Sequence, residues 1–132
     1  MKSDAEVRQD VFAVLKAAGI QNTIGGSLRY IPRAEKSKAE DCVISVLDSN
    51  NAQIQDCIVN VNVYVPNIVS GGESVENITR TKELADVFKN LFEHDIHTED
   101  YSLFLEKQRI LPVVGKNEHV INNRINYKTI NE

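Results

Sequence analysis

Two stretches of the chain repeat apolar residues at helical spacing, and others alternate apolar with polar residues; these two periods organise the reading. Ser3-Asp4-Ala5-Glu6 has the form of a capping box, so a helix should start there. Val7, Val11, Val14, Leu15 and Ala18 follow as one stripe, and Gly19 supplies a left-handed stop with Ile20 placed to fold back onto the last turn. Leu84, Ala85, Val87, Phe88, Leu91 and Phe92 mark a second amphipathic helix, from Ser74 or Asn77 to about Glu93.

The alternating stretches predict strands. Ser27 to Ile31 reads as a short strand that Pro32 ends or confines to a sheet edge. Cys42 to Leu47 and Gln53 to Val65 read as a hairpin around Asp48-Ser49-Asn50-Asn51. In its second arm Cys57, Val59, Val61, Val63 and Val65 alternate with Ile58, Asn60, Asn62 and Tyr64, the mark of a sheet with one wet face. A turn centred on Asn50-Asn51 sets Ile44 opposite Cys57 and Cys42 opposite Val59, with Cys42, Ile44 and Val46 on the valine face. A second hairpin joins Tyr101 to Val114 with Glu118 to Ile130 through Gly115-Lys116-Asn117. There Ile121, Ile125 and Tyr127 share one parity, and Asn122, Arg124, Asn126 and Lys128 the other.

Hairpins with short turns impose antiparallel pairing, so the pattern predicts a single α+β domain over residues 1–132. Its two layers are a mainly antiparallel sheet of four to five strands and two helices packed on one face. The other face is lined by Asn60, Asn62 and Tyr64, joined by the polar row of the last strand if the hairpins share one sheet. Two connecting segments stand apart. Arg33 to Asp41 is charged and mixed in sign, and reads as a solvated loop rather than a phosphate-gripping patch. Pro66 to Ser74 cannot continue a central strand and reads as a loop with a flexible glycine turn, yet Ile68-Val69 is apolar where a loop should be polar.

Composition narrows the classes. With 42% apolar and 26% charged residues, 132 residues suit one folded domain rather than a disordered or fibrous chain. No run approaches a membrane span and the N-terminus lacks a secretory layout, so the expectation is a soluble, intracellular protein with no membrane partner. A net charge of −4 offers no general field for phosphates, and sequence-specific nucleic-acid binding is not expected.

Candidate chemistry is sparse. Cys42 and Cys57 fit no CxxC pattern and lie diagonally offset in the expected register, so they read as buried thiols. His94, Asp95, His97, Glu99 and Asp100 have metal-like composition, but they fall at or beyond a helix end where their spacing does not converge; no metal is assigned. Gly25-Gly26 and Gly71-Gly72 lack the spacing of a phosphate cradle, and no nucleophile elbow is present, so neither catalytic residues nor a cofactor is assigned.

The opening SDAEVRQDVFAVLKAAG, the strand CIVNVNVYVPN, the helix TRTKELADVFKNLFEHD and the closing HVINNRINYKTIN, in that order, resemble the phage tail terminator or tail completion proteins over the whole chain. The resemblance implies a structural protein rather than an enzyme. It implies a homo-oligomeric ring, often a hexamer in that family, which caps the tail tube and joins it to the head. Partners would be tail-tube and head-completion proteins, in the cytoplasm of a bacterial host and in the virion. Pro66, Asn67, Ile68 and Val69, with Asn60, Asn62 and Tyr64 on the open face, are the candidate contact residues. The alternative from another class is a small cytosolic enzyme or ligand-binding domain with a pocket between sheet and helices.

Overall fold

Ser3 caps the first helix, α1 (Asp4–Ala17): the Glu6 amide donates to Ser3 Oγ and the Ser3 amide to Glu6 Oε1, both at 3.2 Å. The computed structural model describes residues 2–51 and 54–130. Within the predicted stripe Val7, Val11 and Leu15 are buried, Val14 is half-buried and Ala18 is exposed. Gly19 takes the left-handed conformation at φ 77°, and buried Ile20 opens an extra helical turn, α2 (Ile20–Thr23).

A short strand, β1 (Leu28–Arg29), then pairs parallel with β2 (Cys42–Asn51), which is followed by β3 (Ile54–Pro66). The expected loop from Pro66 to Ser74 is instead a two-stranded ribbon, β4 (Ile68–Ser70) and β5 (Glu73–Val75). Because Glu73–Val75 is strand, α3 (Ile78–Leu91) starts at the later of its two expected caps, Asn77, whose side chain accepts from the Arg80 amide. The chain ends with β6 (Ile96–His97), β7 (Ser102–Pro112) and β8 (Glu118–Ile130).

The main sheet is mixed, with order β1-β2-β3-β8-β7-β6. The class is α+β, as the pattern predicts, but the described residues form six strands in the main sheet, two in the ribbon, and three helices. The additional strand β6 is two residues long, and so is β1, the shortened form of the expected Ser27–Ile31 strand. Among the described residues only β1 departs from antiparallel pairing, and the residues between Arg29 and Cys42 give the chain the dozen or so positions that a parallel return needs.

The first hairpin is displaced from its expected register: Cys42 faces Val63, Ile44 faces Val61 and Val46 faces Val59. Asp48 to Asn51, expected to turn, instead pair along β3 as far as Asn51 with Gln55, and a bulge at Leu47 takes up one residue. The connection falls at 52–53, so the expected start of the second arm at Gln53 lies outside the described residues. The cause is tertiary: β8 pairs with all 13 residues of β3, from Ile54 to Pro66, holding β3 extended as a template for β2. The displacement is even, so side-chain parity survives and Cys42 and Ile44 still join the valine face, with Val46 half-buried beside them. It also moves the cysteines further apart than the diagonal neighbours expected. Both are buried thiols, and burial pushes the Cys42 thiol up to about 12.

One core results. Val7, Val11 and Leu15 of α1 and Leu84, Ala85 and Phe88 of α3 cover the odd-numbered row from Cys57 to Val65, together with Ile121, Ile125 and Tyr127. Two polar bridges inside this layer escape pattern reading because they share the apolar parity. Gln108 Nε2 donates to Asn123 Oδ1 at 2.8 Å and to the Ala85 carbonyl at 2.9 Å, fastening α3 to the sheet. Tyr127, packed inside as its parity predicts, donates its hydroxyl to Asp10 Oδ2 at 2.7 Å and so ties β8 to α1.

Candidate interaction surface

Three kinds of surface meet at the end of the sheet where β3 stops and β8 starts. The first is the charged segment between β1 and β2. Its middle is exposed, as expected of a solvated loop, but its ends are not. Arg33 donates through Nε to Asp41 Oδ2 at 3.1 Å and through Nη1 to both Glu118 oxygens at 2.9 and 3.0 Å. Its Nη2 donates to the carbonyls of Ser37 and Ala39. All the guanidinium nitrogens are thus engaged, and the side chains of Arg33, Asp41 and Glu118 are only 9%, 5% and 5% exposed. Burial works to raise the Asp41 carboxyl, but hydrogen bonds from Ser37 and the Ser27 amide, together with Arg33, outweigh it and hold the group below its ordinary value.

Next door, Glu40 takes a bidentate grip from Arg80 at the start of α3, with Nε and Nη2 each at 2.7 Å, and accepts from the Gly25 amide. The Arg80 hydrogen bonds, with the Gly25 amide, outweigh desolvation and lower the Glu40 carboxyl. Adjacent acids therefore pin the loop to two different arginines. Gly26 belongs to the same packing, since a Cβ there would lie 2.5 Å from Asp41 Oδ1 and 2.6 Å from the Glu40 carbonyl carbon.

The second surface is the open face of the sheet. Asn122 Nδ2 donates to Asn60 Oδ1 at 3.2 Å and to Asn62 Oδ1 at 2.7 Å, a cross-strand bridge made possible because the hairpins do share one sheet. Beyond it lie Arg124, paired with Glu106, and the exposed Lys107 and Arg109 of β7. Tyr64 is less available than its parity implies, because the Arg33 guanidinium stacks over its ring at 4.3 Å.

The third surface is the β4–β5 ribbon. An isolated two-stranded ribbon is marginal in water, so what anchors it matters. Gly71 and Gly72, with φ of 60° and 80°, supply the paired left-handed residues of a tight hairpin turn that other residues adopt only with strain. Pro66 ends β3 opposite Glu118, and Asn67 forms the hinge: its amide donates to the Asn117 carbonyl, its Nδ2 to Ser74 Oγ, and its Oδ1 lies 2.7 Å from His119 Nδ1. Glu76 continues the anchor, accepting from Thr81 Oγ1 at 2.7 Å. The base is thus fixed while the arms stay open to water, with Ile68 45% and Val69 78% exposed. Burying an aliphatic side chain of this size is worth about 1.5–3 kcal/mol, which this domain leaves largely uncollected at Val69.

The candidate contact residues therefore divide. Ile68 and Val69 are presented outward, Pro66 and Asn67 serve the hinge, Asn60 and Asn62 are bridged by Asn122, and Tyr64 lies under Arg33. Residue-by-residue reading misses Arg33, Asp41, Glu40 and Arg80 as partners, for the contacts Arg33 to Glu118 and Arg80 to Glu40 span 85 and 40 positions.

His94 and His97 are exposed, His94 in the turn after α3 and His97 in β6. Among the described residues no three His, Cys, Asp or Glu side chains converge on a common point. Between sheet and helices, where the alternative reading would put a ligand, stand the fully buried side chains of Leu15, Leu84, Phe88, Ile121 and Ile125. No helix among the described residues is long and apolar enough to cross a membrane. The sequence matches no known protein-family profile and no functionally characterised protein.

Proposed function

We propose that this chain is a structural assembly protein of a phage or prophage tail, which forms a homo-oligomeric ring on the tail tube and joins it to the head. The reading rests on the resemblance of its helix, hairpin, helix, hairpin order to tail terminators. The observation that favours assembly is the exposed Ile68-Val69 pair on a ribbon whose base is held by Asn67 and His119. A fixed scaffold presenting β-branched apolar residues to water suits a protein whose working state covers them. Tail-tube and head-completion proteins would be its partners, in the host cytoplasm and the virion. The acidic balance of −4 suits a passage for DNA, because few phosphates would be neutralised and the polymer would slide.

Native mass spectrometry and light scattering of the full chain, alone and with purified tail tubes, test this. A closed ring, or saturable binding at tube ends, is the expected result. A chain that stays monomeric at millimolar concentration and ignores tube ends would overturn it.

A further inference from the structure

We propose that the β4–β5 ribbon of one copy adds as a strand to the open edge of β7, from Lys107 to Leu111, in a second copy of this chain. The inference rests on the assembly reading above and specifies its contact. On the donor side, every ribbon residue from Ile68 to Ser74 is exposed, and among the described residues each of the two short strands has its partner on one side only. Ile68 and Val69 are the apolar groups, and Glu73 stands on the paired strand with no ion-pair partner among the described residues.

On the acceptor side, β6 covers β7 only at Ser102 and Leu103, so among the described residues the rest of β7 is a sheet edge with unpaired backbone groups. The bulge between Leu105 and Lys107 and the proline at 112 limit the regular part of that edge to Lys107 through Leu111, which is long enough for a three-residue strand. This window carries apolar Ile110, 39% exposed, between Arg109 and half-buried Leu111, and neither Lys107 nor Arg109 has an ion-pair partner among the described residues. Donor and acceptor therefore match in backbone, in apolar side chains and in charge, an unpaired anion meeting two unpaired cations.

The edge of β2 is the competing acceptor and fits less well. Its bulge at Leu47 interrupts the uncovered stretch, and its exposed described residues, Ser45 and Leu47, bring no cation. Within one chain β8 lies between β3, which leads into the ribbon, and β7. Donor and acceptor are thus different surfaces, and the contact is head to tail, the kind that closes into rings.

Because Cys42 and Cys57 are buried, a surface cysteine is the thiol that oxidants reach first. Full-length V69C and I110C chains of different tag mass, mixed and oxidised, should yield the mixed disulfide dimer, whereas V69C with L47C should not. By light scattering V69D should weaken self-association about tenfold or more, the worth of one buried valine. E73K and R109E should each weaken it about fivefold, and the double variant should recover it. Assembly that persists unchanged in V69D, or crosslinks that form with L47C instead of I110C, would overturn the ribbon contact and leave the assembly reading standing. A wild-type chain that stays monomeric at millimolar concentration, with no V69C–I110C disulfide, would overturn the ribbon contact, and the assembly reading with it if the chain also ignores tube ends.

Discussion

The segments Arg33–Asp41 and Pro66–Ser74 exchange the roles that their compositions suggest. The first is dense with charge and looks made for water, yet three of its charged side chains, Arg33, Glu40 and Asp41, hold the fold together. The second contains the apolar pair that should seek the interior, yet Ile68 and Val69 stand in solvent on a ribbon held at its base. Composition measures what a side chain costs to bury or expose; it does not say which partner offsets that cost. In the charged loop the partner is within the same chain, and for the ribbon we place it in another copy.

The sharpest way to break this contrast is at Arg33. R33A leaves Asp41 and Glu118 buried together without a cation, so urea denaturation should report a loss of about 3 kcal/mol or more. A loss below about 1 kcal/mol would mean that the loop is only solvated after all. R80A removes the bidentate partner of Glu40 and the donor to the Thr23 carbonyl at a half-buried site, and should cost about 1–2 kcal/mol by the same measurement.

Acid offers a third test, independent of mutation. Glu40 and Asp41 titrate below their ordinary values in the folded state, so their contribution is fully present above the unfolded carboxylate value of about 4. It is lost as pH falls through the lowered folded values, so urea midpoints should drop below about pH 4, and E40Q should flatten part of that drop. Val69 should behave oppositely in every respect. V69S should change the stability of the monomer by less than about 0.5 kcal/mol at any pH while reducing assembly, as circular dichroism and light scattering together would register.

Much of the architecture was legible because it rests on local rules. The capping box at Ser3, the stop at Gly19, the stripe from Leu84 to Phe92 and the turn at Gly115 each depend on neighbours a few positions apart. The ribbon was half legible: Gly71-Gly72 announced a turn, and Ile68-Val69 an anomaly, but three-residue strands are too short for alternation to be seen. The register of the first hairpin was not legible, because Asp48 to Asn51 have turn-like side chains and only β8, laid along β3, draws them into the sheet.

The sequence by itself determined the two helices, the alternating faces and hence which side of each long strand is greasy, since parity is unchanged by any even slip between strands. Only the tertiary structure decided where β2 sits against β3, that Arg33 reaches Glu118 and Arg80 reaches Glu40, and that Val69 finds no cover among the described residues. The physical reason is separation along the chain. Periodicity and capping act over a few residues, whereas a buried ion pair or an unpaired edge is defined by segments that meet only after the sheet has closed.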